Sequence, residues 1–165
     1  METKNRKSSI KTVNPFTNKV EKEFEVMTDE EVDIIIDKAA RAFKTWKNVS
    51  FPERARIIHK VASIMRERKE ALGKLATIEM GKLLRESIYE VELGANIFDY
   101  FAKNAEKFLA DHSLETEKGE AFICYEPIGV LLSIQPWNFP YYQITRSAAS
   151  NLMAGNTMVL KHASN

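Results

Sequence analysis

A single cysteine, Cys124, stands in a chain of 165 residues. One thiol cannot close an intrachain disulfide, so no disulfide framework exists and a reducing compartment is expected. The three histidines, His59, His112 and His162, are scattered without ligand spacing, so no metal site is expected. The six glycines never fall into a G-x-G pattern, which removes the common dinucleotide fingerprint. No apolar run approaches the roughly 18 residues of a membrane span, and the polar N-terminus has no signal-peptide core. An excess of one charge is missing too. The 24 Lys and Arg against 23 Asp and Glu leave a net charge of +1, and the basic residues alternate with Glu along helices. Phosphate binding needs a clustered basic excess, so no nucleic-acid partner is expected. With no repeat of roughly 20–50 residues, the expectation is a soluble, cytoplasmic protein of one domain.

What is present reads as an ordinary globular composition, 44% hydrophobic and 28% charged. Residues 1–9 are polar and are expected to fray. Ile10 to Val13, a turn started by Asn14-Pro15, and Val20 to Val26 predict a hairpin, with Val20, Phe24 and Val26 sharing one parity on a half-exposed strand. Thr28 followed by Glu31 is a capping box, with Asp29 and Glu30 at the positive helix start. The helix it opens carries Val32, Ile35, Ile36, Ala39, Ala40, Phe43 and Trp46 on one face. A second start at Ser50, Pro52 and Glu53 leads to Ile57, Ile58, Val61, Ile64 and Met65 as the expected buried stripe. Arg66 to Glu70 is either a continuation or a short joint before Leu72, Leu75, Ala76 and Met80, with Gly81 as the stop. From Leu83 to Ala110, apolar residues at alternating spacings of four and three fit a coiled-coil seam or a helix packed in a core. Gly94 in the stripe favours the core.

After Asp111 the pattern changes. Leu114 to Glu117, a Lys118-Gly119 turn, and Ala121 to Tyr125 predict a second hairpin. Val130 to Ile134 has the branching and length of a buried parallel strand. Pro136 cannot donate to a ladder and Pro140 suits a first helical turn, so strand gives way to helix between them. That helix runs to about Ala154, Gly155-Asn156 stops it, and Thr157 to Leu160 returns as strand. Strand, helix and strand make a parallel unit with a right-handed crossover, and the class is α/β. Asn138 then sits at the carboxyl end of one strand and Lys161 at that of the next, on the same side of the sheet. Open α/β sheets place ligands at that end.

Each candidate has a bland reading beside the chemical one. Asn138 is either a helix N-cap, or a side-chain amide that donates to a developing oxyanion. Lys161 is either a solvated lysine or a contact to nucleotide ribose or phosphate. Cys124, inside a presumed hairpin strand with no histidine near in sequence, reads as structural.

Taken in order, these motifs resemble one family. Gly129 through Asn138-Phe139-Pro140, and Ala154-Gly155-Asn156-Thr157-Met158-Val159-Leu160-Lys161, look like the cofactor-domain core of the NAD(P)-dependent aldehyde dehydrogenase superfamily. Asn14-Pro15-Phe16-Thr17, Trp46, Glu79-Met80-Gly81-Lys82 and Tyr125-Glu126-Pro127-Ile128-Gly129 fall in the family's order. The ending Lys161-His162-Ala163-Ser164-Asn165 looks most like the succinate-semialdehyde dehydrogenase branch.

The resemblance implies the N-terminal part of a Rossmann-like, parallel-sheet cofactor domain over residues 1–165. It also implies a hairpin arm over residues 111–127 that joins subunits of a homo-oligomer. It implies an aldehyde substrate and NADP or NAD as cofactor. Asn138 would hold the substrate oxyanion. Ile134, Pro136, Trp137 and Asn138 would lie along the nicotinamide half, and Lys161 would bind the adenosine ribose. Ser164 stands where many NAD-preferring members carry an acidic residue, which leans towards NADP. The family's nucleophilic cysteine and general-base glutamate lie beyond Asn165, and Cys124 matches neither. The chain is therefore expected to be part of a longer polypeptide and inactive alone. The rival expectations are a non-catalytic assembly module and a truncated gene product.

Overall fold

The computed structural model describes residues 9–163. The polar tail over residues 1–8, and Ser164, lie outside them. Eleven elements are described in the order β1 (Ser9–Asn14), β2 (Lys19–Glu25), α1 (Asp29–Trp46), α2 (Phe51–Glu67), α3 (Lys69–Met80), α4 (Leu84–Phe108), β3 (His112–Leu114), β4 (Ala121–Ile123), β5 (Val130–Ile134), α5 (Pro140–Met153) and β6 (Thr157–Lys161).

The first hairpin forms as expected, and Asn14 Oδ1 closes its turn by accepting from the N–H groups of Phe16 and Thr17. Ser9, assigned to the fraying tail by sequence, is instead paired with Glu25. The alternation expected along β2 fails for a local reason. A bulge between Thr12 and Val13 pairs Val20 with Val13 but Phe24 with Ile10, positions of opposite parity on β1. Every residue of β2 is exposed.

Helix α1 starts at the capping box. Thr28 Oγ1 accepts from Glu31 N at 3.2 Å, and Glu31 Oε2 accepts from Thr28 N at 2.8 Å. Two long-range bonds dock its far half: Thr157 Oγ1 donates to Ala39 O at 3.0 Å, and Trp46 Nε1 donates to Leu152 O at 3.0 Å. Helix α2 buries Arg54, Ile58, Ala62 and Met65. The expected stripe is thus rotated, and Ile57, Val61 and Ile64 are exposed. The buried face joins Ile58, Ala62 and Met65 to Ala95, Ala102 and Ala105 of the helix that follows α3. Buried Arg54 lies over the Phe51 ring at 4.5 Å, and its Nε finds no acceptor among the described residues. The joint at Arg68 caps both α2 and α3, and Gly81 ends α3 in the left-handed region at φ 72°.

Helix α4 is a core helix and not a coiled-coil seam. It packs against α2, α3 and α5, and Val91, Ala95, Phe98, Ala102 and Ala105 join Ile58, Ala62, Met65, Ala148, Ala149 and Met153 in one cluster. Fully burying a side chain such as Val91 or Met153 stabilises the fold by about 1.5–3 kcal/mol. Helix α3 approaches α4 closely at Gly73, where an added Cβ would lie 2.6 Å from Ile88 Cγ1 and 3.0 Å from Ile88 N.

The second hairpin pairs β3 with β4, but β3 lies earlier than expected, over His112–Leu114. Residues 115–120 are its loop, pinned where Thr116 Oγ1 donates to Gly119 O at 2.9 Å. Cys124 is free and exposed just past β4, outside the hairpin strand expected to contain it.

Strands β5 and β6 pair in parallel, with Val130 opposite Thr157 and Ile134 opposite Lys161. Buried Asn156 fixes this register, as its Oδ1 accepts from Ile128 N at 2.8 Å and Gly129 N at 3.1 Å. Strand β5 is not the fully buried strand expected. Leu132 is 67% and Ile134 68% exposed, because the sheet has two described strands and covers only the face that carries Ser133.

Candidate functional site

The parallel register does the first part of the positioning. Ile134 and Lys161 are direct neighbours at the carboxyl ends of their strands, and Gln135 N continues the ladder to Lys161 O at 3.0 Å. Pro136 then ends the pairing, since it has no N–H to give. Trp137, Asn138 and Phe139 bend the chain into α5 at Pro140. Below them a polar knot ties strand to helix: Gln135 Nε2 donates to Ser147 Oγ at 3.1 Å and to Ser133 Oγ, and the two serine hydroxyls are 3.2 Å apart.

Ile134, Pro136, Trp137, Asn138 and Lys161 gather at this one end of the sheet. Trp137 is 56% exposed, and Asn138 and Lys161 are exposed. A cavity of about 200 Å³ opens beside them, walled by Pro136, Trp137, Tyr141 and Glu79 among others. An exposed indole face, the bare side chains of Leu132 and Ile134, and a cation at the end of β6 suit a ligand with a flat ring and a polar ribose-phosphate half.

The N-cap reading of Asn138 does not hold. The N-cap position of α5 is Phe139, with no side-chain cap bond, and the Asn138 side chain makes no hydrogen bond among the described residues. The helix start is capped from a distance. Glu90, on α4 and 2% exposed, accepts from Tyr141 N at 2.9 Å and Tyr142 N at 3.1 Å through Oε1. Its Oε2 accepts from Lys82 Nζ, and that ammonium lies 3.7 Å from the centroid of the Phe139 ring.

Sequence reasoning missed Glu90. Its one signal was a carboxylate at a position where the α4 stripe of Ser87, Val91 and Gly94 turns inward, which a buried charge needs a partner to occupy. Tyr141 anchors the same helix start, as its hydroxyl donates to Leu72 O at 2.8 Å. Burial, with the charges of Glu79 and Glu90 added, pushes its pKa up to about 12.

The chain is 43% identical over 152 residues to a succinate-semialdehyde dehydrogenase of Deinococcus radiodurans named for NADP(+), covering 92% of this chain and 32% of that protein. It is 42% identical over 159 residues to a succinate-semialdehyde dehydrogenase of Mycobacterium tuberculosis, also named for NADP(+), covering 94% and 35%. The crystal structure of succinic semialdehyde dehydrogenase from Streptococcus pyogenes, in complex with NADP+, superposes with a TM-score of 0.90 at 42% identity, covering 94% of this chain and 34% of that one. The chain thus spans about a third of the length of the relatives it matches. Its fold is that of the N-terminal part of an aldehyde dehydrogenase Rossmann-like domain. The family model described as "Aldehyde dehydrogenase family" matches residues 2–165, and the chain belongs to that family.

Proposed function

We propose that these 165 residues form the oxyanion-donor and cofactor-floor portion of an enzyme that oxidises an aldehyde to the acid with NADP+ or NAD+. Succinate semialdehyde is the favoured substrate, on the strength of the named relatives. The observation that carries the reading is the pairing of Ile134 with Lys161, which sets the Asn138 turn and a cation at one end of one sheet.

In this reading the side-chain NH2 of Asn138 donates to the oxygen of the reacting carbonyl as it gains charge. A donor of this kind contributes about 2.7–4 kcal/mol to the transition state. Trp137 and the backbone around Ile134 and Pro136 hold the nicotinamide half, and Lys161 holds the adenosine ribose. Ser164 adds no negative charge to repel a 2′-phosphate, which favours NADP+. The bound dinucleotide supplies the two-electron acceptor. The attacking thiolate and the general base would come from residues outside this chain. The thiolate would add to the carbonyl carbon, and loss of the aldehyde hydrogen as hydride to the dinucleotide would turn that adduct into a cysteine thioester for water to hydrolyse. Cys124, on the hairpin, takes no part. Residues 111–127 act as the arm that joins subunits, and exposed Leu114, Phe122, Ile123 and Tyr125 give it an apolar surface to bury.

Titrating NADP+ and NAD+ against Trp137 fluorescence, in a Trp46→Phe background, tests the cofactor floor. Saturable quenching that is weakened by Lys161→Ala is expected, and no quenching by either nucleotide sinks the reading. The chain by itself is expected to give no turnover. Aldehyde-dependent reduction of NADP+ by the purified chain, abolished in Asn138→Ala, would show the opposite.

A further inference from the structure

We propose that Glu90 and Lys82 are a positioning pair for the Asn138 turn, an inference that deepens the reading of Asn138 as a donor and rests on it. The chemistry starts from a general need. The first N–H groups of a helix lack internal partners, and the usual remedy is a Ser, Thr, Asp or Asn side chain at the cap. Here an Asn stands next to the cap position and does not serve. The two N–H groups of Tyr141 and Tyr142 are met by one oxygen of Glu90, a residue 51 positions away from the first of them. Capping from α4 relieves Asn138 of that task, so its amide stays available to a ligand.

Lys82 supplies the second half of the device. Gly81 turns left-handed at the end of α3, and the next residue, Lys82, points its ammonium at the other oxygen of Glu90. The carboxylate is 2% and the lysine 13% exposed at the side chain, so the pair is removed from water and its partners are fixed. The same ammonium sits over the face of Phe139, the residue that follows Asn138. Phe139 in turn meets the Tyr142 ring edge-on at 6.1 Å. The turn is therefore held from both sides: the helix after it by Glu90, and the aromatic residue within it by Lys82. Neither side chain needs to touch a substrate, and both act through the placement of Asn138.

The test is nuclear-spin relaxation of the chain without nucleotide, comparing the parent with Lys82→Met, Lys82→Arg and Glu90→Gln. Lys82→Met keeps the apolar stem and removes the charge. The expected result is a fall of the backbone order parameters at 137–139 from about 0.85 to below about 0.6, with Ala148 and Ala149 in the core unchanged. Lys82→Arg, which restores a cation, returns them towards the parent. Glu90→Gln gives an intermediate fall, because an amide oxygen still accepts from the helix but no longer neutralises the lysine. Unchanged order parameters at 137–139 in Lys82→Met overturn the proposal. So does a loss that spreads to 148–149 or is not restored by arginine, which marks a general packing role. NADP+ is then added to the parent. A parent whose Trp137 indole signal ignores NADP+ refutes the cofactor reading, while the nucleotide-free order parameters still decide the role of Glu90 and Lys82.

Discussion

His59 Nδ1 and Asp99 Oδ1 lie 2.6 Å apart, one on α2 and the other on α4. The other oxygen of Asp99 meets an Arg66 nitrogen at 2.6 Å, and Arg66 and Lys69 both reach Glu92. Burial pushes the Asp99 carboxyl up, but the hydrogen bonds from His59 and Arg66 outweigh it and hold the group below the usual range. A depressed carboxylate stabilises the fold fully above its unfolded value, about 3.9, and loses that stabilisation as pH falls through the lower folded value. Asp99→Asn is expected to flatten the melting temperature below about pH 4 relative to the parent. At neutral pH its effect is small, about 0.2–1 kcal/mol, because the group is a third exposed. Thermal melts from pH 2.5 to 7 in both proteins read the difference.

Gly73→Ala sets two effects against each other. Alanine favours a helix over glycine by about 1 kcal/mol, yet its Cβ meets both the side chain and the backbone nitrogen of Ile88. Backbone cannot step aside as a side-chain end can, so the clash wins. A net destabilisation of about 1–3 kcal/mol is expected, read from urea midpoints.

Tyr141 is expected to ionise well above the ordinary tyrosine range. Its pKa of about 12 exceeds the ordinary value, so its contribution is whole below about pH 10 and is lost as pH rises towards 12. A titration at 295 nm in the parent and Tyr141→Phe isolates this alkaline step. The phenylalanine variant also loses the bond to Leu72 O, a loss of about 1 kcal/mol near neutral pH.

Thr28→Ala removes one half of the capping box and is expected to lower stability by about 0.5–2 kcal/mol. Thr28→Ser keeps the oxygen and is expected to stay near the parent. Chemical denaturation of the three proteins side by side gives the comparison.

The parts of the fold readable in the sequence are those governed by near neighbours. Thr28 with Glu31, Asn14-Pro15, Gly81 and the two prolines around Trp137 each act within a few residues, and each marks a boundary the structure keeps. The face that α2 buries was readable only in part: Ile58 and Met65 of the expected stripe are buried, and Ile57, Val61 and Ile64 are not. Apolar residues cover a wide arc of that helix, and Arg54 is enclosed by groups far away in sequence, its guanidinium lying where a Cβ on Gly155 would come within 2.8 Å. Asn138 could be placed at the strand end from its own surroundings, but the identity of the helix cap could not. The group that decides it is Glu90, and a carboxylate on another helix leaves no mark near residue 138.

The two bonds that dock α1 also set an order of events during synthesis. Ala39 O waits for Thr157 Oγ1, which lies 118 residues later in the chain. At about 5–20 residues per second a ribosome needs roughly 6–24 s to supply that partner. For that interval α1 carries its own N-terminal cap but lacks β6, one of the two strands it packs against. Its Ile35, Ala39 and Phe43, half-buried in the folded chain, face water until then, within reach of whatever binds nascent apolar helices. The N-terminal helix is made early and seated late.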